Sequence, residues 1–148
     1  MREICLFICI ISLFSCNQQQ EEGLSIEGTW ELQYGVIINE NDTVLTNYTQ
    51  GQRLIKIINE SHFSFLRHDL NKGKDSTNIF IAGGGSYSFD GKTYKENLEF
   101  CTGRSWEGKE FTFQMTLKND TLIQRGLEKN EEIGIDQEII ETYIRTKK

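Results

Sequence analysis

The chain has no proline, and only two of its 148 residues are histidine. Without proline no turn is set by a locked φ, so Gly, Asn and Asp must make the turns. The two histidines, His62 and His68, are too few for a metal centre, which needs more ligands within reach. Cations are in deficit: 16 Lys and Arg against 22 Asp and Glu leave a net charge of −6. That balance argues against nucleic acid and against a polybasic membrane patch. No apolar run reaches the roughly 20 residues of a transmembrane helix, and no stretch has the period of an amphipathic helix.

Catalytic signatures are also missing. Ala82-Gly83-Gly84-Gly85-Ser86 lacks the Lys-Thr ending and following helix of a phosphate loop, and fits a bulge or a flexible portal strand better. Ser86, Ser88 and Ser105 lack a nucleophile elbow. Glu96 and Glu141 form a candidate carboxylate pair, but their strand positions suit ion pairing equally. The expectation is a protein that is not an enzyme, with no cofactor and no metal.

What is present begins with the first fifteen residues. Arg2 supplies a short positive region, and residues 4–14 are apolar apart from Ser12. The run is too short to span a bilayer and has the form of a secretory signal. Leu13-Phe14-Ser15-Cys16 resembles the lipobox of bacterial lipoproteins. The resemblance implies removal of residues 1–15 and lipidation of Cys16. A plain signal peptide cut nearby, or a short membrane anchor, is the alternative. Of four cysteines, Cys5 and Cys9 would leave with the signal and Cys16 would carry acyl chains. Cys101 remains alone, so no internal disulfide is expected. Two or three acyl chains are enough for stable anchoring. Residues 16–25 then form the lipidated cysteine and a polar tether. Gln20-Glu21-Glu22 resembles the acidic surface-export tag of Bacteroidetes lipoproteins, or is any hydrophilic tether. The expected location is the outer membrane, facing the periplasm or the surface.

Residues 26–148 read as one domain. The pattern has period 2, with turn signals every roughly 8–12 residues. Strands are expected over 29–38, 43–48, 53–58, 62–67 and 77–82. Next comes a hairpin, with Tyr87 and Phe89 before the Asp90-Gly91 turn and Tyr94 to Phe100 after it. An irregular or helical turn is expected in 102–108. Further strands follow over 111–117, 121–127 and 135–146. About eight to ten short antiparallel strands would leave long edges as one open sheet, and closure removes them. A meandering up-and-down barrel is the expected fold, with a sandwich second.

Gly28-Thr29-Trp30 at the start of the first strand resembles the Gly-x-Trp signature of lipocalins and their calycin relatives. The resemblance implies that Gly28 permits a tight turn into the barrel and that Trp30 plugs its closed end. It also implies a basic residue from a late strand, Arg145 or Arg125, stacked on the indole. The stretches 84–96, 108–113 and 141–145 resemble small lipocalin-like domains of Bacteroidetes lipoproteins, whose function is unknown. No ligand and no catalytic residue comes with that likeness.

Alternation places Trp30, Leu32 and Tyr34 on one inward row, and Phe63, Phe65 and Arg67 on another. Tyr94, Glu96, Leu98 and Phe100 form a third, and Phe111, Phe113, Met115 and Leu117 a fourth. Tyr143 shares its face with Glu141 and Arg145. Charges on these rows must be paired or hydrated. One reading is a polar patch in an apolar cavity that orients a small hydrophobic or amphipathic ligand. Its candidate contacts are Arg67, Tyr94, Glu96, Phe111, Phe113 and Tyr143, with Arg67 gripping a carboxylate. The other is internal ion pairs in a filled barrel that binds a protein partner on its outer face. An enclosed volume of about 300 Å³ or more would favour the ligand.

Overall fold

Alternating apolar and polar residues form strands wherever one face can be buried, and here the buried faces line the inside of a barrel. The computed structural model describes residues 25–74, 76 and 78–147. The expected signal peptide, Cys16 and most of the tether lie outside the described residues. Among the described residues nine strands are formed: β1 (Gly28–Ile38), β2 (Thr43–Asn47), β3 (Gln52–Ile58), β4 (His62–Asp69), β5 (Phe80–Phe89), β6 (Thr93–Cys101), β7 (Lys109–Lys118), β8 (Thr121–Asn130) and β9 (Ile135–Arg145). Each pairs antiparallel with its neighbour, and β1 pairs with β9 from Trp30 to Ile38. β2 and β3 lie on the same side of β1, against Tyr34–Ile38 and Gly28–Glu31 respectively. They act as one interrupted strand, so an eight-stranded, up-and-down, lipocalin-like barrel closes.

The fifth strand differs from expectation. It begins at Phe80 and runs unbroken through the three glycines to Phe89. These glycines are set by strand crowding. A Cβ at Gly84 would stand 2.5 Å from the Phe63 carbonyl oxygen, and one at Gly85 1.9 Å from that of Asn97.

Two bulges turn side chains away from the face that plain alternation assigns them. The β1–β9 register shifts between Leu32 and Tyr34. Tyr34 therefore faces outward and is 46% exposed. The β5–β6 register shifts between Gly84 and Gly85, leaving Glu99 as the extra residue. Its carboxylate accepts from the Ser86 amide and hydroxyl at 3.0 and 2.6 Å. Phe100 is thereby 67% exposed, and Cys101 takes its place on the inner wall.

The end holding the chain start and the β3–β4, β5–β6 and β7–β8 turns is filled by side chains. Trp30, Leu32, Ile58, Phe63, Tyr94, Met115 and Leu122 are buried there. Each such side chain contributes about 1.5–3 kcal/mol of hydrophobic stabilisation. Arg145 caps this end: its guanidinium carbon lies 4.1 Å from the centre of the Trp30 ring. It donates to the carbonyls of Glu27 and Ser25, while the Trp30 indole donates to Ile26 O at 2.8 Å. Gly28 has φ 138°, and a Cβ there would stand 2.7 Å from Arg145 Nη1. Arg125 instead pairs with Glu138 on the exterior.

Candidate functional site

The other half of the barrel is hollow. A cavity of about 600 Å³ reaches inward from the end that carries the β4–β5, β6–β7 and β8–β9 connections. A short 3-10 turn, Arg104–Trp106, follows β6 and brings Trp106 to the cavity. Leu54, Phe65, Leu98, Phe111, Phe113 and Ile139 supply apolar wall. The break between β2 and β3 adds Tyr48, whose amide still reaches Gln33 O at 2.9 Å.

A polar floor separates this space from the packed half. Lys56, on β3 between Leu54 and Ile58, is only 3% exposed. Its ammonium donates to Glu96 Oε1 on β6 and to Gln124 Oε1 on β8, the latter at 2.7 Å. The Gln124 amide continues to Glu141 Oε2 on β9 at 3.3 Å, and the Tyr143 hydroxyl donates to that same oxygen at 2.7 Å. Lysine can only donate and carboxylate can only accept, so Gln124 is the residue type that links them.

Phe63 and Tyr94 support the ammonium, with ring centres 5.3 and 4.9 Å from Lys56 Nζ. Tyr94 is completely buried against Tyr87, Phe63 and Phe89. Its hydroxyl has no hydrogen-bond partner among the described residues. Burial, with the Glu96 carboxylate nearby, pushes that hydroxyl far above the usual tyrosine range.

Two more charges stand on the walls. Arg67 donates through Nε to Gln52 at 2.9 Å, and its guanidinium lies over the Tyr48 ring at 5.1 Å. Glu128 accepts from the Gln137 amide at 2.9 Å. Burial raises Glu128 above its ordinary carboxylate range, against the Gln137 hydrogen bond that lowers it. Burial pushes Glu141 up to about 7, against the pull of Lys56. Burial and the Glu141 carboxylate raise the Tyr143 hydroxyl in turn.

Of the residues expected to face a ligand, Arg67, Glu96, Phe111, Phe113 and Tyr143 line the cavity. Tyr94 does not: it belongs to the packed half, one layer beneath Lys56. Glu96 does pair internally, but with Lys56 rather than with an arginine. Lys56, Gln124 and Glu128 were not among the expected site residues. The signal for Lys56 and Gln124 was present, because Leu54-x-Lys56-x-Ile58 and Leu122-x-Gln124 alternate as inward rows. Long polar side chains on such rows are easily read as escaping to solvent. Tyr48 had no local signal, since only the strand break aims it inward.

His62 and His68 are both exposed on β4. Among the described residues no three His, Cys, Asp or Glu side chains are grouped to hold a metal ion. Cys101 is a free thiol on the cavity wall. No protein-family model matches the chain, and no curated protein matches it significantly.

Proposed function

We propose that this chain is a lipid-anchored envelope protein that holds a small amphipathic molecule in its barrel. The observation that carries the reading is the half-hollow interior. A volume of about 600 Å³ falls within the roughly 300–1,000 Å³ range of small-molecule sites. A filled barrel acting only through its outer face would have side chains in that space. Apolar and aromatic walls supply contact area, and the charged floor supplies orientation. The floor is built before any ligand arrives, because Lys56, Glu96, Gln124, Glu141 and Tyr143 already hold one another.

The membrane anchor in this proposal rests on Leu13-Phe14-Ser15-Cys16. Replacing Cys16→Ala should move the protein from the membrane fraction to the soluble fraction. Retention in the membrane would remove the anchor from the proposal.

The barrel closes within residues 25–147, so a chain starting at Asn17 keeps every contact described. Native mass spectrometry of that chain, purified from a bacterial lysate, tests the binding reading. A stoichiometric adduct of a few hundred daltons, lost on delipidation, is the expected result. A clean protein mass with no uptake from an added lipid extract would overturn it.

A further inference from the structure

The charges around the cavity are unequal in number and in availability. Its ionisable walls and floor hold Lys56 and Arg67 against Glu96, Glu128 and Glu141. Lys56 is already engaged by Glu96 and Gln124. A ligand carboxylate at the floor would have to take Lys56 from Glu96, with Glu141 close by. Arg67 offers no substitute at that depth. It lies two residues beyond Phe65 toward the mouth, with Nε on Gln52 and its plane over Tyr48.

Glu141 has the opposite character. Its Oε2 accepts from Tyr143 and Gln124, while its Oε1 accepts from no described residue. No Lys or Arg among the described residues bonds to it. Glu128, four residues beyond Gln124 on β8, faces the same space with only an amide on it. The surrounding rings of Tyr48, Phe65, Trp106, Phe111 and Phe113 offer faces that attract cations and flanks that cover hydrocarbon.

We propose that the cavity selects a protonated amine carried on an apolar body, with the ammonium on Glu141 and Glu128 contributing from the wall above. The inference rests on the binding function proposed above and names the ligand class. The upward shift of Glu141 fits it, because a carboxylate buried without its own cation gains from an incoming one.

The test is calorimetric titration of residues 17–148 at pH 8 with octylamine, octan-1-ol and octanoate, which share one chain length and differ in head group. Octylamine should bind about tenfold or more tighter than either of the others, a difference of about 1.4 kcal/mol. Glu141→Gln keeps an acceptor for Tyr143 and should lower amine affinity about tenfold, with octanol affinity changed less than about twofold. Glu128→Gln should lower amine affinity by a smaller factor. Octanoate binding as tightly as octylamine would overturn the proposal. So would unchanged amine affinity in both variants. Octanol binding with no preference for the amine would overturn the amine selectivity and leave the binding function standing. No binding by any of the three would overturn both.

Discussion

Removing Lys56 should damage this protein more than removing the carboxylate it touches. The ammonium is almost fully buried, and it favours the ionised forms of Glu141 and Glu128 as well as bonding Glu96. Lys56→Met fits the aromatic bed of Phe63 and Tyr94 but leaves three carboxylates without the cation of the floor. Breaking a buried pair in this way costs about 3–5 kcal/mol. Glu96→Gln keeps an acceptor for Lys56, and Lys56 still has Gln124 and the nearby Glu141, so about 1–2 kcal/mol should be lost. The penalty of Lys56→Met depends on pH with a definite sign. Glu141 and Glu128 would be held still higher once their cation is gone. The folded state then binds protons that the unfolded state has released, so stability falls as pH rises. The loss should be full at about pH 8 and should shrink toward pH 5. Urea unfolding at both pH values, with the slope checked for constancy, measures it. A loss below about 1 kcal/mol at pH 8, or Glu96→Gln costing more than Lys56→Met, would refute the role given to Lys56.

Glu141, held near 7 against an ordinary value of 4.5, should cost the wild-type protein up to about 3 kcal/mol as pH rises from 4.5 through 7. Glu141→Gln should flatten that slope, and parallel pH–stability curves for the two proteins would contradict the burial. The charged and titratable groups that act on Glu141 are Lys56 on β3, Glu96 on β6, Glu128 on β8 and Tyr143 on β9. Phe100→Ser should change stability by no more than about 0.5 kcal/mol, because the side chain faces solvent. Phe113→Ala should cost about 3–5 kcal/mol by chemical denaturation. Equal losses at the two positions would mean that the Glu99 bulge is absent. Gly28→Ala should lower the melting temperature, since φ 138° and the Arg145 approach both oppose a Cβ, at a cost of about 1–3 kcal/mol. An unchanged melting temperature would argue against the Arg145 cap.

The extent to which the site was readable depends on where the strands keep perfect alternation. Phe111, Phe113 and Met115 lie on a strand without a bulge, and all three point inward as their spacing implies. Phe100 has the same local pattern and points out, because one extra residue in β6 shifts every later side chain to the other face. Tyr34 is misread for the same reason on β1. A bulge is a property of two paired strands, and no single strand announces it.

The local sequence determined the strand content, the turns, and the inward rows, because period-2 patterning and Gly, Asn and Asp turn signals act over a few neighbours. The resemblance carried by Gly28-x-Trp30 implied a basic partner for the indole, Arg145 or Arg125, and the closed barrel brings Arg145 there. Tertiary structure alone decided that the barrel is filled at one end and hollow at the other. It also decided that Lys56 on β3, Glu96 on β6, Gln124 on β8 and Glu141 on β9 meet in one floor. These residues are 17 to 68 positions apart along the bonded pairs. Their meeting depends on barrel closure and register, which no local stretch of chain contains.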